Sequence, residues 1–227
     1  MNVLGFDTST AATAVCLLRD DGEAFEVVPD AAELLGPPGH ARDLLPRVAE
    51  VTERAGVELT DLDAIAVGAG PGSFTGLRIG IATARALAHA HQLEVRPVSS
   101  LAALAAGIDA PLRLPLIDAK RGELFAALHD EGGELWEPLV ARPDELAERV
   151  REEALTPLAA GDGSIRFREI LEAAGIRVSP DGSPAHVVRA LHVCRLAIDT
   201  RPVALEAVLP NYLRDPDAKP SGTPPRR

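Results

Sequence analysis

The chain is poor in rings: among 227 residues there are 5 Phe, 1 Trp and 1 Tyr. A core built without them must come from Ala, Leu and Val, which suits helices packed over a sheet better than an aromatic-rich β-sandwich. Cysteine is scarcer still. Cys16 and Cys194 are too few for a disulfide framework and have no metal-ligand spacing, so a reducing compartment is expected. Positive charge is also short, with 23 Lys and Arg against 34 Asp and Glu and a formal net charge of −11. Autonomous binding of nucleic acid needs a basic surface to neutralise phosphates, and this balance argues against it. No apolar run is long enough for a bilayer, because the most apolar segment, 79–90, is interrupted by Arg85 and His89. The opening "MNVLGFDTST" has no basic leader, so no signal peptide is expected. The reading is of a soluble cytoplasmic protein with no membrane partner.

What is present alternates between strand and helix patterns. Strands are expected at 2–6, 13–19 and 24–28, the last two joined by an Asp-Gly turn in "RDDGE". Short connections make this opening an antiparallel meander. A leucine-striped helix is expected over 40–55, with Gly56 as its stop and Pro46 predicting a kink or a late start. Strand 62–67, helix 74–91, strand 95–98 and helix 99–107 follow, a parallel extension of the meander. The second half starts again with a strand into Asp118, a turn at 120–122 and a strand out. Another turn at Gly132–Gly133 leads to a strand at 135–140. Helices are expected at 144–153, 167–174 and 185–198, with "PLAAGDGS" as strand and loop. "GFDTSTAATAVCL" and "LIDAKRGELFAAL" thus share a strand–Asp–turn–strand order. That order is either a coincidence of common hairpins or a duplicated lobe of the actin/hexokinase-like kind, in which an Asp ends the first strand of each lobe at a nucleotide cleft.

Four motifs bear on chemistry. "DTST" (Asp7, Thr8, Ser9, Thr10) sets a carboxylate and three hydroxyls at a strand end, able to hold phosphate or hydrated Mg²⁺ or merely to satisfy a turn. "GAGPGSFTG" follows a strand and opens a helix, where Gly70 and Gly72 either collect an anion or set a tight turn. It lacks the lysine that closes a P-loop and that phosphoryl transfer requires. Gly76, Gly80, Ala84 and Ala88 then recur every four residues beside Ile79, Thr83 and Leu87, with Arg78 and Arg85 the charges before His89. A helix apolar around most of its girth is buried around most of it, here by a second polypeptide on our reading. "DAKRGE" offers Lys120 and Arg121 to an anion across from Asp7, or pairs them with Asp118 and Glu123 on a solvated turn. The histidines align no chelate: His40 is followed at the fourth position by Leu44, and no Gly-x-Ser-x-Gly elbow occurs. A metallopeptidase reading therefore lacks ligands.

"GPGSFTGLRIG", together with "GFDTSTAATAVCL", "HARDLLP", "DLDAIAVGAGPG", "DAKRGELF" and "PNYLRD", resembles the TsaB (YeaZ) family in order along nearly the whole chain. The resemblance implies an α/β protein of the actin/hexokinase-like ATPase fold, two RNase H-like lobes with mixed sheets flanked by helices. Residues 1–108 would form the N-terminal lobe, 109–213 the C-terminal lobe and 214–227 a disordered tail. It further implies a non-catalytic role in making threonylcarbamoyladenosine next to the tRNA anticodon. The paralogue TsaD carries the metal and transfers the group, and the ATPase TsaE joins the pair. The paralogue's His-x-x-x-His motif falls at His40, and Leu44 in its second place fits a non-catalytic chain. The face toward TsaD would comprise Leu44, Leu45, Val48, Gly76, Gly80, Thr83, Ala84 and Leu87, self-associating as a homodimer when alone. A vestigial nucleotide cleft would comprise Asp7, Thr8, Ser9, Gly70, Gly72, Asp118 and Arg121. No cofactor of its own is expected, with ATP or ADP at the interface of the complex, and tRNA contact is expected only through the complex. The rival class is an actin-like ATPase or kinase using Asp7 and Asp118 around Mg-ATP.

Overall fold

The computed structural model describes residues 1–214; the expected disordered tail falls outside the described residues from 215 onward. The first half builds a five-stranded sheet from β1 (Val3–Asp7), β2 (Ala14–Leu18), β3 (Ala24–Val27), β4 (Ala64–Gly70) and β5 (Glu94–Ser99), in the order β3-β2-β1-β4-β5. The first three strands are antiparallel, and β4 and β5 add in parallel through crossovers. The second half builds β6 (Arg113–Lys120), β7 (Glu123–Asp130), β8 (Gly133–Ala141), β9 (Leu158–Ala160) and β10 (Arg177–Val178) into the order β10-β9-β6-β7-β8. Read from the other edge, this is the first sheet repeated strand for strand, with the same directions. The fold is the actin/hexokinase-like one, two mixed sheets flanked by helices, and the shared order of hairpin and Asp belongs to a duplicated lobe.

Strand periodicity decides what covers each face. Leu4, Phe6, Val15, Leu17, Ile65 and Val67 point to the outer side of the first sheet, where α1 (His40–Ala55) and α2 (Phe74–His91) lie. Val3, Cys16 and Ala66 point inward and share one core with Ile117, Phe125 and Ala127 of the second sheet. Between the sheets lie α3 (Ser100–Ala105), which packs on β6 and β7, and α7 (Ala190–Asp199), which packs on β1 and β2. Gly5 lets α7 come close, since a Cβ there would overlap the Cys194 sulfur. The outer face of the second sheet is covered by α4 (Pro143–Glu152) and α6 (Arg168–Ala173) around Leu146, Val150 and Leu171. The short α5 (Asp162–Arg166) follows β9.

The first expected helix is met in its span, a later one is divided, and the loop expected at "GDGS" holds the start of α5. Helix α1 starts at His40 and runs through Pro46, so no late start occurs; the proline forgoes one bond to the Arg42 carbonyl while the buried stripe Leu44, Val48, Val51 and Ala55 holds the helix in place. The helix expected over 185–198 is divided into a 3₁₀ turn at Pro184–His186, an extended stretch and α7. Val187 and Val188 pack into two different clusters, which neighbouring residues do in an extended chain and not on one helical stripe.

Candidate functional site

The strand ends and loops of the two lobes face each other across a cavity of about 640 Å³. One wall carries Ser9, Thr10, Gly72 and Ser73 from the first lobe, and the other carries Asp118, Lys120, Asp162 and Arg166 from the second. The segment ending the described chain, 211–214, closes one side, held by the Asn211 N–H donating to the Ala69 carbonyl at 2.7 Å. That size is within the range of small-ligand sites.

Asp7 is at the end of β1, as expected, and yet is withheld from the cavity. It is 1 % exposed. Its Oδ1 accepts from the Ser9 N–H (2.8 Å) and Ser9 Oγ (2.6 Å), and its Oδ2 accepts from Ser100 Oγ (2.6 Å). A Cβ at Gly68 would overlap the same carboxylate. Burial raises the Asp7 carboxyl above its usual range, while the bonds from Ser100 and Ser9 pull it back. Thr8 is also buried, its Oγ1 donating to the Gly76 carbonyl at 2.8 Å. Gly70, at φ +103°, and Gly72, where a Cβ would lie 2.5 Å from Ser9 Cβ, make the turn that seats Ser73 against Ser9. Of the expected cleft residues, Ser9, Gly72 and Asp118 line the cavity and Asp7, Thr8 and Gly70 lie behind its wall.

On the second lobe the Asp118 carboxylate accepts from the Lys120 N–H (2.8 Å), Lys120 Nζ (2.9 Å) and Arg166 (3.1 Å). Asp162 accepts from the Asp118 N–H at 3.0 Å, and burial pushes its carboxyl up to about 6. Arg121 is exposed on the β6–β7 turn and does not line the cavity; Lys120 and Arg166 stand in the place expected for it. Asp162 is not among the expected site residues, because "GDGS" has the pattern of a loop. Its signal was the duplication itself, since the loop after β9 is the counterpart of the glycine turn after β4. A cluster at the cavity rim is likewise absent from the expected site. Phe74 and Tyr212 stack with centroids 5.1 Å apart, the Arg78 guanidinium lies 3.9 Å from the Phe74 centroid, and Arg78 Nε donates to Tyr212 Oη at 3.2 Å. The scarcity of rings was the signal there.

The small-residue stripe of α2 turns inward. Gly76, Gly80, Ala84 and Ala88 are buried by this chain's own residues: a Cβ at Gly76 would overlap the Thr8 carbonyl oxygen, and one at Gly80 would overlap Thr8 Oγ1. The reason is close approach, because α2 crosses the end of β1 at a distance only glycine allows. Leu44 and Val48 are likewise core residues beneath α1. Of the eight residues expected on a docking face, Leu45 is exposed at 57 %, Thr83 and Leu87 are half-buried, and the other five are covered. The outer side of α2 exposes Arg78, Ala82, Arg85, Ala86, His89 and Ala90, with Ile79 half-covered beside them.

His40 is buried next to a smaller cavity between the starts of α1 and α2. Its Nδ1 is 2.8 Å from Thr13 Oγ1, and burial lowers its pKa, which leaves the ring neutral at pH 7. Among the described residues no group of three or more His, Cys, Asp or Glu is placed to hold a metal ion, and no helix is long and apolar enough to cross a membrane.

Comparison with known proteins adds the following. Residues 27–195 match the family model "TsaD: tRNA N6-adenosine threonylcarbamoyltransferase". The tRNA threonylcarbamoyladenosine biosynthesis protein TsaB of Escherichia coli is 33 % identical, with 95 % of each chain covered. The structure of YeaZ from Pseudomonas aeruginosa superposes with a TM-score of 0.75 at 31 % identity, covering 93 % of this chain and 99 % of that one. The ethanolamine utilization protein EutJ of Carboxydothermus hydrogenoformans shares the fold alone, at a TM-score of 0.52 and 15 % identity over 86 % of this chain and 89 % of its own.

Proposed function

The chain belongs to the TsaB (YeaZ) family, and from that premise we propose that it is a required, non-catalytic subunit of the bacterial complex that forms tRNA threonylcarbamoyladenosine. In this role it docks on TsaD and supports the transfer that TsaD performs. The observation that carries the reading is the outer side of α2. In a chain with 34 Asp and Glu this 18-residue helix has none, and its outer side sets exposed alanines and half-covered Ile79, Thr83 and Leu87 among Arg78, Arg85 and His89, while α1 exposes Leu45. A helical surface of small and aliphatic residues that carries cations and no carboxylate is stabilised when a protein of complementary charge covers it. Without TsaD a second copy would take the same place, and TsaE would join the completed pair.

The non-catalytic part of the reading draws support from Asp7. A carboxylate whose two oxygens take three internal hydrogen bonds has little left for Mg-ATP, and Asp118 is engaged by Lys120 and Arg166. Any ATP or ADP the assembly uses would then be held where the two chains meet.

Gly80→Arg is unsuitable as a docking test, since the new side chain would be driven into Thr8 and the lobe beneath. Ala86→Arg and Leu45→Glu alter exposed positions and leave the core intact. Each is expected to abolish co-elution with the cognate TsaD and threonylcarbamoylation of tRNA, at unchanged melting temperature. Full modification with both substitutions in place would refute the docking role.

A further inference from the structure

Seven aromatic residues serve the whole chain, and two of them meet in the open. Phe74 and Tyr212 are 38 % and 37 % exposed, although the neighbouring core has few rings of its own. Part of their work is structural, because the Phe74–Tyr212–Arg78 cluster fastens the 211–214 segment to the start of α2. Fastening alone would favour closing the rings off from water, since an aromatic side chain has the largest apolar surface to bury. Instead both line the interlobe cavity. Across it stand Lys120 and Arg166, whose side chains are 69 % and 55 % exposed, while the carboxylate they share, Asp118, is 5 % exposed. The cavity thus presents ring surface on one rim and the outward ends of two cations on the other, with the balancing charge turned inward.

That pairing is the one that recognises an unpaired nucleotide: a base lies on an aromatic surface and its phosphate meets a nearby cation. We propose that the exposed ring of Tyr212, backed by Phe74, is a stacking contact for an unpaired nucleotide of the tRNA substrate. The contact rests on the reading that this chain acts in tRNA modification, and it goes further by making the chain touch the RNA itself. It also fits the net charge. A protein at −11 repels RNA when free, so the rim is used only once TsaD has brought the tRNA to the cleft.

The experiment is a reconstituted reaction with this chain, its cognate TsaD and TsaE, the threonylcarbamoyl donor and tRNA. Phe74→Leu and Tyr212→Leu keep apolar bulk and remove the ring, and Tyr212→Trp restores a stacking surface. The KM for tRNA is expected to rise roughly tenfold in Tyr212→Leu, the loss of one base–aromatic stack, and less in Phe74→Leu, whose ring is already covered by Tyr212 and Arg78. The KM for the donor, kcat at saturating tRNA and TsaD affinity should stay as in the parent, the melting temperature should fall by about 2–4 °C as the 211–214 fastening weakens, and Tyr212→Trp should stay close to the parent. An unchanged KM for tRNA in Tyr212→Leu overturns the stacking contact and leaves the scaffold reading standing. A loss of TsaD binding or of thermal stability that accounts for the whole effect overturns it in favour of simple fastening. Binding of free AMP to the parent chain but not to Tyr212→Leu, in the absence of RNA, overturns it in favour of a mononucleotide site. If the parent chain itself adds nothing to modification, the functional reading fails and this proposal with it.

Discussion

Replacing Gly76 with alanine adds one methyl group where α2 crosses the end of β1, and the two possible orientations of the helix predict opposite signs. On an outward stripe the change would stabilise, since alanine is better than glycine inside a helix by about 1 kcal/mol. In the structure the new Cβ would overlap the Thr8 carbonyl oxygen, a backbone atom of β1 that cannot rotate away. Either α2 lifts from the sheet or β1 bends. Overpacking of this kind costs about 1–3 kcal/mol. The lifted helix would also strain the buried Thr8 Oγ1 to Gly76 carbonyl bond of 2.8 Å, adding about 0.5–1.5 kcal/mol. After the helical gain is subtracted, a net loss of about 1–3 kcal/mol remains. For a chain of this size that lowers the melting temperature by about 2–4 °C per kcal/mol. Thermal unfolding followed by circular dichroism reads the shift directly. A Gly76→Ala variant that melts at or above the parent temperature would show that α2 presents its glycines to solvent, and the packing described here would be wrong.

Asp162 is expected to make stability fall with rising pH. Its folded carboxyl stands at about 6 against an ordinary 3.8, so its contribution is whole below pH 3.8 and is lost as the pH climbs through 6. Over that window the contribution is on the order of 3 kcal/mol. Denaturant unfolding at pH 5 and pH 7.5 should show about half of it, about 1.4 kcal/mol, in the parent chain and a flatter profile in Asp162→Asn; equal slopes would contradict the assignment. Cys16 and Cys194 are both fully buried, and burial pushes the Cys194 thiol well above its ordinary value. Neither should react with Ellman's reagent in the native protein and both should react in denaturant, so rapid native labelling would mean that α7 opens.

The architecture was largely legible because it is written in local patterns. The helix expected at 74–91 follows a glycine turn and repeats small residues every four positions, and α2 occupies that span, capped by Ser73. The repeated strand–Asp–turn–strand order pointed to two equivalent lobes, and the mirrored sheet orders bear it out. Partner choice across space was less legible. A stripe of Gly76, Gly80 and Ala84 states that some backbone approaches closely, not which one; Thr8, 68 positions away from Gly76, answers that only in three dimensions. Asp7 shows the same gap. Its place at a strand end was readable, whereas its enclosure depends on Ser100, which arrives from the far side of β5. The divided 185–198 segment failed because an apolar run has one periodicity in sequence and two burial targets in the fold.

The exchange of α3 and α7 between the sheets bears on how such a chain came to exist. Each half lends the other the helix that roofs its inner surface, so a fragment cut near residue 110 would be left with a bare apolar floor on either side of the break. A single ancestral lobe would have met the same need by pairing with its own twin. In this chain that pairing is intramolecular, so neither lobe is expected to keep its fold when expressed without the other.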